Sequence, residues 1–525
     1  MIETPSLQQL LERDFVSIPE LIAVSAHNQP THDALIQDER RIDYAGLDAW
    51  MNRIAYALQR AGIGPGETIA ICAANAIDYA LTFLGALRAG IAVAPLAPSS
   101  TPESLVSMLA DCGAKLLFLD AHTAATLAPV AAQLTAACIG LGFAPQAGQT
   151  FEAWIDSAAP LGARPEPVEI DPESAFNIIY SSGTTGLPKG IVQSHRMRWG
   201  HVRRAGDTGY GPNSVTLCST PLYSNTTLVS FFPSMALGGS VVLMAKFDAG
   251  KFLAMSAREH VTHAMLVPVQ YQRIMDHPQF DSFDLSSFKA KFCTSAPFAA
   301  ELKQRVLARW PGGLVEYYGM TEGGGTCVLA AHLFPNKLHT VGTPAPGHDV
   351  RVIDDQGNEL PAGETGEVVG SSRAIMTGYH NQPGKTADAE WYDASGKRFI
   401  RTGDVGRFDS DGFLTLLDRK KDMIISGGFN VYPSDLESVL VQHPGVAEVA
   451  VVGVPSERWG ETPIAFVVCK PAVQASPAEL LAFVNERVGK TQRVSDLRLV
   501  ESLPRSAIGK VLKRQLRDEY ATSTV

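Results

Sequence analysis

The stretch IIYSSGTTGLPKG, residues 178–190, joins an apolar strand to a turn rich in glycine and hydroxyl groups. Small residues let the backbone approach a ligand closely, and successive N–H groups and hydroxyls donate hydrogen bonds to anionic oxygens. Pro188 stands where a Walker loop has glycine before its lysine, so this is a different kind of loop. The stretch predicts a phosphate-binding loop formed by Ser181, Ser182, Gly183, Thr184, Thr185, Gly186 and Lys189.

Outward from this loop, apolar runs alternate with amphipathic helical patterns. The runs that predict buried strands are TIAICA (68–73), AVAPLA (92–97), KLLFLD (115–120), FNIIYS (176–181), SVVLMA (240–245) and HAMLVP (263–268). Continuous apolar strands separated by helices, such as the helix predicted over residues 44–62, are typical of α/β proteins with largely parallel sheets. Short strands joined by Asp-Gly turns in residues 350–417 predict a smaller β module.

The charged cluster DRKKD, residues 418–422, is followed by a change of pattern. The residues beyond it contain short apolar runs and an amphipathic helix, which is enough for a small domain. We therefore predict an α/β fold with two domains. Residues 1–419 form a large N-terminal domain of parallel-rich sheets with helices and the β module, and residues 420–525 form a small α/β C-terminal domain.

Composition argues against several classes of function. The 525 residues include 44 Lys and Arg and 54 Asp and Glu, and the resulting net charge of −10 argues against binding to nucleic acid or a membrane surface. The 7 cysteines are scattered without a CxxC pair, which argues against structural zinc and favours a reducing, cytoplasmic location. Residues 121–151 and 208–245 lack charged side chains, but prolines interrupt both, so we expect no membrane span.

Further blocks follow the phosphate loop in order: YYGMTEGGG (317–325), RTGD (401–404), DRKKDMIISGGFNVYPSDLE (418–437) and PRSAIGKVLKR (504–514). Together with the loop they resemble the adenylate-forming, or AMP-binding, superfamily, in its acyl- and aryl-CoA synthetase branch. The resemblance extends from about residue 40 to residue 515. It implies an enzyme that uses ATP and Mg²⁺ to convert a carboxylic acid into an acyl-adenylate and then transfers the acyl group to CoA.

The resemblance implies roles for residues around the nucleotide. Tyr318 would lie against adenine, Thr321 would bind phosphate, and Glu322 would help to hold Mg²⁺. Such a role for Glu322 suits Mg²⁺, which prefers a few carboxylates together with phosphate oxygens and water. Asp404 and Arg419 would bind the ribose.

The resemblance also implies a mobile C-terminal domain. Lys421 would be the hinge, and Lys510 would bridge the acid and the α-phosphate during adenylation. Gly427 and Gly428 would line the access path of the thiol, since glycine leaves room for pantetheine. Trp459 would contact the nucleotide of CoA, or it would pack in the core of the small domain. The predicted catalytic residues are thus Lys510, Thr321 and Glu322.

This chain departs most clearly from the family pattern in the pocket predicted for the acid. This pocket is expected at Tyr223, Ser224, Asn225, Gly323 and Gly324, and many CoA ligases have histidine where this chain has Ser224. No Asp or Glu occurs between residues 207 and 248, which disfavours an amino-acid substrate because its buried ammonium would lack a partner.

The span before Lys246 also lacks Lys and Arg, which weakens the case for a malonate-like diacid. Four arginines, Arg196, Arg198, Arg203 and Arg204, lie just upstream, so binding of a second carboxylate stays open. Two alternatives to a CoA ligase are an acyl-AMP ligase that loads a carrier protein and a non-catalytic nucleotide-binding relative. The sequence does not determine the acid or the oligomeric state.

Overall fold

The computed structural model describes residues 6–181, 188–426, 429–470, 475–506 and 509–523. Its internal contacts divide the chain into two compact units. The larger unit comprises Met1–Leu338, Ala345–Asp349 and Gly370–Ile400, and the smaller comprises His339–Pro344, Val350–Val369 and Arg401–Val525. This division groups most of the β module with the C-terminal residues. The boundary predicted between residues 419 and 420 concerns movement about a hinge, and it stays a prediction.

The helices follow the predicted alternation with strands. They are α1 (Leu7–Leu11), α2 (Ile18–Asn28), α3 (Tyr44–Arg60), α4 (Ile77–Arg88), α5 (Pro102–Cys112), α6 (Ala121–Leu127), α7 (Phe151–Ala158), α8 (His195–Ala205), α9 (Asn225–Ala236), α10 (Ala249–Arg258), α11 (Pro268–Met275), α12 (Ala300–Arg309), α13 (Pro383–Asp388), α14 (Pro433–Val441), α15 (Pro477–Asn485) and α16 (Lys513–Ser523). None of the described helices is both long enough and apolar enough to cross a bilayer.

The strands include every run that the sequence predicts. They are β1 (Asp33–Gln37), β2 (Arg40–Asp43), β3 (Thr68–Cys72), β4 (Ala92–Pro95), β5 (Leu116–Leu119), β6 (Ala137–Gly140), β7 (Gln149–Thr150), β8 (Ala175–Ser181), β9 (Lys189–Ser194), β10 (Val215–Cys218), β11 (Ser240–Leu243), β12 (His263–Leu266), β13 (Ala290–Cys293), β14 (Gly313–Tyr318), β15 (Cys327–Ala330), β16 (Thr343–Pro344), β17 (Asp349–Ile353), β18 (Gly366–Ser371), β19 (Gly378–Tyr379), β20 (Glu390–Tyr392), β21 (Arg398–Phe408), β22 (Leu414–Arg419), β23 (Ile424–Ser426), β24 (Phe429–Val431), β25 (Val446–Ser456), β26 (Gly460–Cys469) and β27 (Asp496–Leu499).

Two sheets form the larger unit. One has the strand order β15-β14-β13-β12-β10-β11-β1-β2, and the other has the order β19-β9-β8-β4-β3-β5-β6-β7. The pairs β3–β4, β3–β5, β4–β8, β10–β11, β10–β12 and β12–β13 are parallel, as the continuous apolar runs predict. The predicted α/β architecture is therefore confirmed.

The core of the larger unit is closely packed between helices. A Cβ atom on Gly85 of α4 would lie 2.6 Å from the Cβ of Ile54 on α3, so glycine is needed there for the two helices to touch. All seven cysteines are free, and five of them are buried.

The smaller unit contains two further groups of strands. In the first, β17, β18 and β21 are adjacent in that order, with β22 beside β21. In the second the order is β24-β23-β26-β25, with β27 parallel to β26. Residues of α14 and α15, including Leu436, Leu440 and Leu480, pack with Val451 and Val467 of the second group into a separate hydrophobic core.

Candidate active site

The predicted phosphate loop begins and ends on neighbouring strands. β8 ends at Ser181 and β9 begins at Lys189, and these two residues face each other in the antiparallel pair. Ser182, Gly183, Thr184, Thr185 and Gly186 lie outside the described residues. The ends of the loop are thus fixed by the ladder of a buried hairpin, and Lys189 is held at its base.

Lys189 and Glu322, from two separate sequence blocks, meet at one tyrosine. The ammonium of Lys189 lies 4.9 Å from the ring centroid of Tyr379, which is within cation–π range. The Tyr379 hydroxyl donates a hydrogen bond of 2.9 Å to Oε1 of Glu322. Burial, and then the charge of Glu322, raise the pKa of Tyr379, so its hydroxyl stays protonated as a donor.

Tyr379 was not identified from the sequence, although it is the residue that joins the two blocks. It lies on β19, a two-residue strand that pairs with Ile191 and Val192 of β9. The sequence around it, Gly-Tyr-His, has no strand periodicity or charge pattern that would mark it. Only its pairing with the strand after the phosphate loop shows its position.

The glycines after Glu322 serve close backbone packing. Gly323 has φ +75°, and a Cβ there would lie 2.0 Å from the carbonyl oxygen of Ala374. The amide of Gly324 donates to the same carbonyl at 3.0 Å, and the amide of Met376 donates to the Glu322 carbonyl at 2.7 Å. This geometry gives Gly323 and Gly324 a structural role; their place in the acid pocket stays a prediction.

A buried polar network supports Thr321. Nε2 of Gln193 donates to the Thr321 carbonyl oxygen at 2.6 Å and to Oδ1 of Asn225 at 3.4 Å. Oε1 of Gln193 accepts a hydrogen bond from the guanidinium of Arg198, which also donates to Oδ1 of Asn177 at 2.9 Å. Arg198 is only 1% exposed, so a desolvated cation is linked through Gln193 to the backbone of Thr321.

Three of the five predicted acid-pocket residues, Tyr223, Ser224 and Asn225, are consecutive at the start of α9. Ser224, which stands at the histidine position of relatives, is the N-cap of α9, and its hydroxyl accepts from the Thr226 amide at 3.3 Å. The hydroxyls of Thr226 and Ser295 are hydrogen-bonded at 2.6 Å. Ser295 has φ +81°, a conformation that favours glycine, so this bond fixes a strained loop beside α9. Tyr223 is half-buried one residue before the cap.

Tyr318, the predicted adenine contact, is the last residue of β14 and pairs across the ladder with Cys327 of β15. It is partly buried, and it directly precedes the Gly-Met-Thr-Glu turn. Its ring therefore lies at the carboxyl end of a sheet strand, the edge where ligands of open α/β sheets commonly bind.

In the smaller unit, three predicted residues come together. Asp404 and Arg419 face each other on β21 and β22, and Nε of Arg419 donates to Oδ1 of Asp404 at 2.7 Å. Lys510 is exposed, but groups of the smaller unit partly desolvate its ammonium. This desolvation, and then repulsion from Arg419 and Lys421, lower the pKa of Lys510.

Of the residues predicted to meet CoA, Trp459, the predicted contact of its nucleotide, lies in the described part of the chain. Its side chain is 46% exposed, so it is not a core residue of the smaller unit. The guanidinium carbon of Arg458 lies 4.8 Å from its ring centroid. Gly427 and Gly428 lie outside the described residues.

Glu322 suits a magnesium ion that is shared with phosphates. In the described part of the chain, no three His, Cys, Asp or Glu side chains converge on a possible metal position. Mg²⁺ commonly uses one or two carboxylates and takes its other ligands from phosphate and water. A single carboxylate oriented by a tyrosine hydroxyl fits that pattern.

Comparison with known proteins identifies the class to which this fold and site belong. A model of the AMP-binding enzyme family matches residues 22–380, and a model of the AMP-binding enzyme C-terminal domain matches residues 435–510. The chain belongs to this family, as the sequence blocks predicted.

Three relatives illustrate the similarity. The fatty acid–[acyl-carrier-protein] ligase ScoC of Streptomyces coeruleorubidus is 32% identical over 504 residues, which cover 94% of this chain and 95% of the relative. A feruloyl-CoA synthase of Amycolatopsis sp is 34% identical over 503 residues, with 94% and 97% covered. The crystal structure of ATP-bound MatB from Rhodopseudomonas palustris superimposes with a TM-score of 0.84 at 28% identity, over 96% of this chain and 99% of that one.

Tyr379→Phe removes the hydroxyl that donates to Glu322 but keeps the ring beside Lys189. A hydrogen bond to a charged group contributes about 1.5–3 kcal/mol, so we expect kcat/KM for acid-dependent pyrophosphate release to fall at least about ten-fold. Initial rates at varied Mg-ATP measure this. The control is Tyr392→Phe, because the Tyr392 hydroxyl donates to Glu390 at 2.8 Å on the exposed surface. Equal rates for wild type and Tyr379→Phe would contradict the orienting role.

Proposed function

We propose that this chain is an ATP-dependent carboxylic acid–CoA ligase that forms an acyl-adenylate and pyrophosphate and then an acyl-CoA thioester. The observation that carries the proposal is the convergence of Lys189 and Glu322 on Tyr379. A triphosphate requires a cation, and its magnesium ion requires a carboxylate close by. The two side chains that contact Tyr379 supply both.

The chemical problem is that a carboxylate is a poor acyl donor. Attack of its oxygen on the α-phosphorus of ATP forms a new O–P bond and breaks the bond to pyrophosphate, which leaves an acyl group with a good leaving group. Enzymes promote such steps by positioning the reactants and neutralising the developing charge. A bound Mg²⁺ would supply positive charge to the phosphates, with Glu322 as its protein ligand.

Side chains of the larger unit would position the reactants. Lys189 would donate to a phosphate oxygen from the base of its loop, and Tyr379 would keep the Glu322 carboxylate in place. Gln193 would fix the backbone of Thr321, so that the threonine hydroxyl faces the phosphate. Ser224 and Asn225 would border the acid at the start of α9.

Side chains of the smaller unit would complete the adenylation. Asp404 would accept hydrogen bonds from the ribose hydroxyls, oriented by Arg419. Lys510 would donate between the acid and the α-phosphate. With Lys421 as a hinge, movement of the C-terminal residues would then withdraw Lys510 and admit the thiol.

Exposure of Trp459 supports CoA as the acceptor. An exposed indole with an arginine over its ring offers a flat surface for a nucleotide base. The other partners proposed are a small carboxylic acid and ATP. The location proposed is the cytoplasm, because all seven cysteines are free.

A carrier protein is the second candidate acceptor, and the similarity to a ligase named for an acyl-carrier protein favours it. Pyrophosphate release should be measured with aliphatic, aromatic and dicarboxylic acids, with CoA and with a carrier protein, and the products identified by mass. An acyl-CoA product supports the proposal, and KM for CoA should then rise several-fold in Trp459→Ala without a change in pyrophosphate release. An adenylate that reacts only with the carrier protein would show that the acceptor is the carrier protein and not CoA.

Lys510→Ala should abolish adenylation but spare thioester formation from supplied acyl-adenylate. Removing a donor placed where charge develops costs on the order of 10²–10³ in rate. The matched control is Lys470→Ala, an exposed lysine in the same unit. Equal loss in both half-reactions would overturn the assignment of Lys510.

The pH dependence of adenylation provides a further test of Lys510. The charged ammonium is the active form, and its pKa is lowered from the ordinary 10.5. We expect adenylation to fall as pH rises, and to begin falling at a lower pH than for an unperturbed lysine. Lys510→Arg should remove this alkaline decline, because arginine stays protonated. A decline that persists in Lys510→Arg would assign the titration to another group.

A further inference from the structure

Helix α8 carries three basic side chains on one side. Arg198, His201 and Arg204 are spaced three residues apart, which brings them to neighbouring positions on the helix surface. Arg198, Arg204 and His348 each lower the pKa of His201, after the larger effect of burial, so these four side chains lie close together. They form a cationic cluster inside the larger unit.

The cluster lacks negative charge. Among the described residues, no carboxylate acts on the pKa of Arg198 or Arg204, and burial lowers both pKa values. By contrast, Arg196 at the start of α8 pairs with Asp14 and Glu173 on the surface. An unpaired buried guanidinium is costly, so the cluster has the composition of a site that is completed by an anion.

Two polar nitrogens of the cluster also lack hydrogen-bond partners among the described residues. Nη1 of Arg198 and Nδ1 of His201 are buried without a hydrogen-bond partner. Arg204 contacts Nε2 of His348, and the Thr326 amide donates to Nδ1 of the same ring at 3.0 Å. A neutral imidazole has one acceptor nitrogen, so it cannot accept from both donors. One of these two donors, the Arg204 guanidinium or the Thr326 amide, therefore lacks an acceptor on this ring.

The cluster lies beside the predicted acid pocket. His348 hydrogen-bonds to the backbone of Thr326 and Gly324, in the loop that follows Glu322. Tyr317, which acts on the charge of Arg204, precedes Tyr318 on β14. Arg198 connects through Gln193 to Thr321, and Arg204 lies about 9 Å farther along the axis of α8 at 1.5 Å per residue.

We propose that the acid which this enzyme activates carries a second carboxylate at its far end, and that Arg204, together with His201, binds it. The inference rests on the proposed acid-activating function. A carboxylate has two acceptor oxygens that match the fork of a guanidinium, and its charge compensates the cluster. A chain longer than malonate is expected, because Arg204 lies about 9 Å farther along α8 than Arg198, which is linked to Thr321 through Gln193.

The test compares a linear dicarboxylic acid of about eight carbons with its monomethyl ester, which differs only in the distal charge. We expect kcat/KM for pyrophosphate release to favour the diacid on the order of 10²-fold. Arg204→Met should remove this preference by lowering the rate with the diacid alone. Arg203→Met, at the exposed neighbouring position, should retain it. A purely structural role for Arg204 would lower the rates for both substrates equally.

Calorimetric binding of the same pair keeps the inference separate from catalysis. Tighter binding of the diacid to wild type, lost in Arg204→Met and Arg204→Gln, supports it even if turnover is slow. Equal binding of diacid and ester, or a preference unchanged in both variants, overturns it. Pyrophosphate release with monoacids but with no diacid also overturns it and leaves the acid-activating function standing. If no acid releases pyrophosphate, the proposed function fails, and binding alone decides the specificity of Arg204.

Discussion

The antiparallel pairing of β8 with β9 is the interaction on which the candidate site depends. The ladder holds both ends of the predicted phosphate loop, and it places Asn177 opposite Gln193, where both contact Arg198. The other edge of β9, away from β8, pairs with β19, and this pairing places Tyr379 beside Lys189. One hairpin therefore sets the position of the loop lysine, the tyrosine and the network behind Thr321. Slippage by one residue would turn all of these side chains to the wrong face.

Electrostatics in the larger unit follow from burial around this hairpin. The guanidinium of Arg198 donates to amide oxygens and not to a carboxylate. These dipoles solvate its positive charge but do not neutralise it. A low-dielectric environment strengthens both attraction to an anion and the penalty for leaving the site incomplete. Such a network is therefore costly in the free protein, and at the proposed distal-carboxylate site it would favour an anionic substrate.

The sequence was sufficient for the fold class because buried parallel strands leave unbroken apolar runs, and each predicted run became a strand. The blocks also predicted roles for Lys189, Glu322, Asp404 and Arg419, and these roles stay predictions. The structure brings Lys189 and Glu322 to one tyrosine and pairs Asp404 with Arg419. Tyr379 and Gln193 escaped prediction because their importance comes from pairing between distant segments, and neither stands in a distinctive pattern. Ser224 stands where the family resemblance implies histidine, and only the backbone geometry shows that it caps α9. The division into units depended on contacts that no local pattern encodes.

The strained loop at Ser295 lies against the first turn of α9, where the acid pocket is predicted. A left-handed serine costs about 1–3 kcal/mol, and here a hydrogen bond to Thr226 holds it in place. Mechanical stiffness next to α9 is thereby obtained from the backbone itself. At the predicted acid pocket, a wall of that kind would resist expansion even when neighbouring side chains become smaller. New acyl groups would consequently be gained more readily by loosening this loop than by trimming the side chains around it.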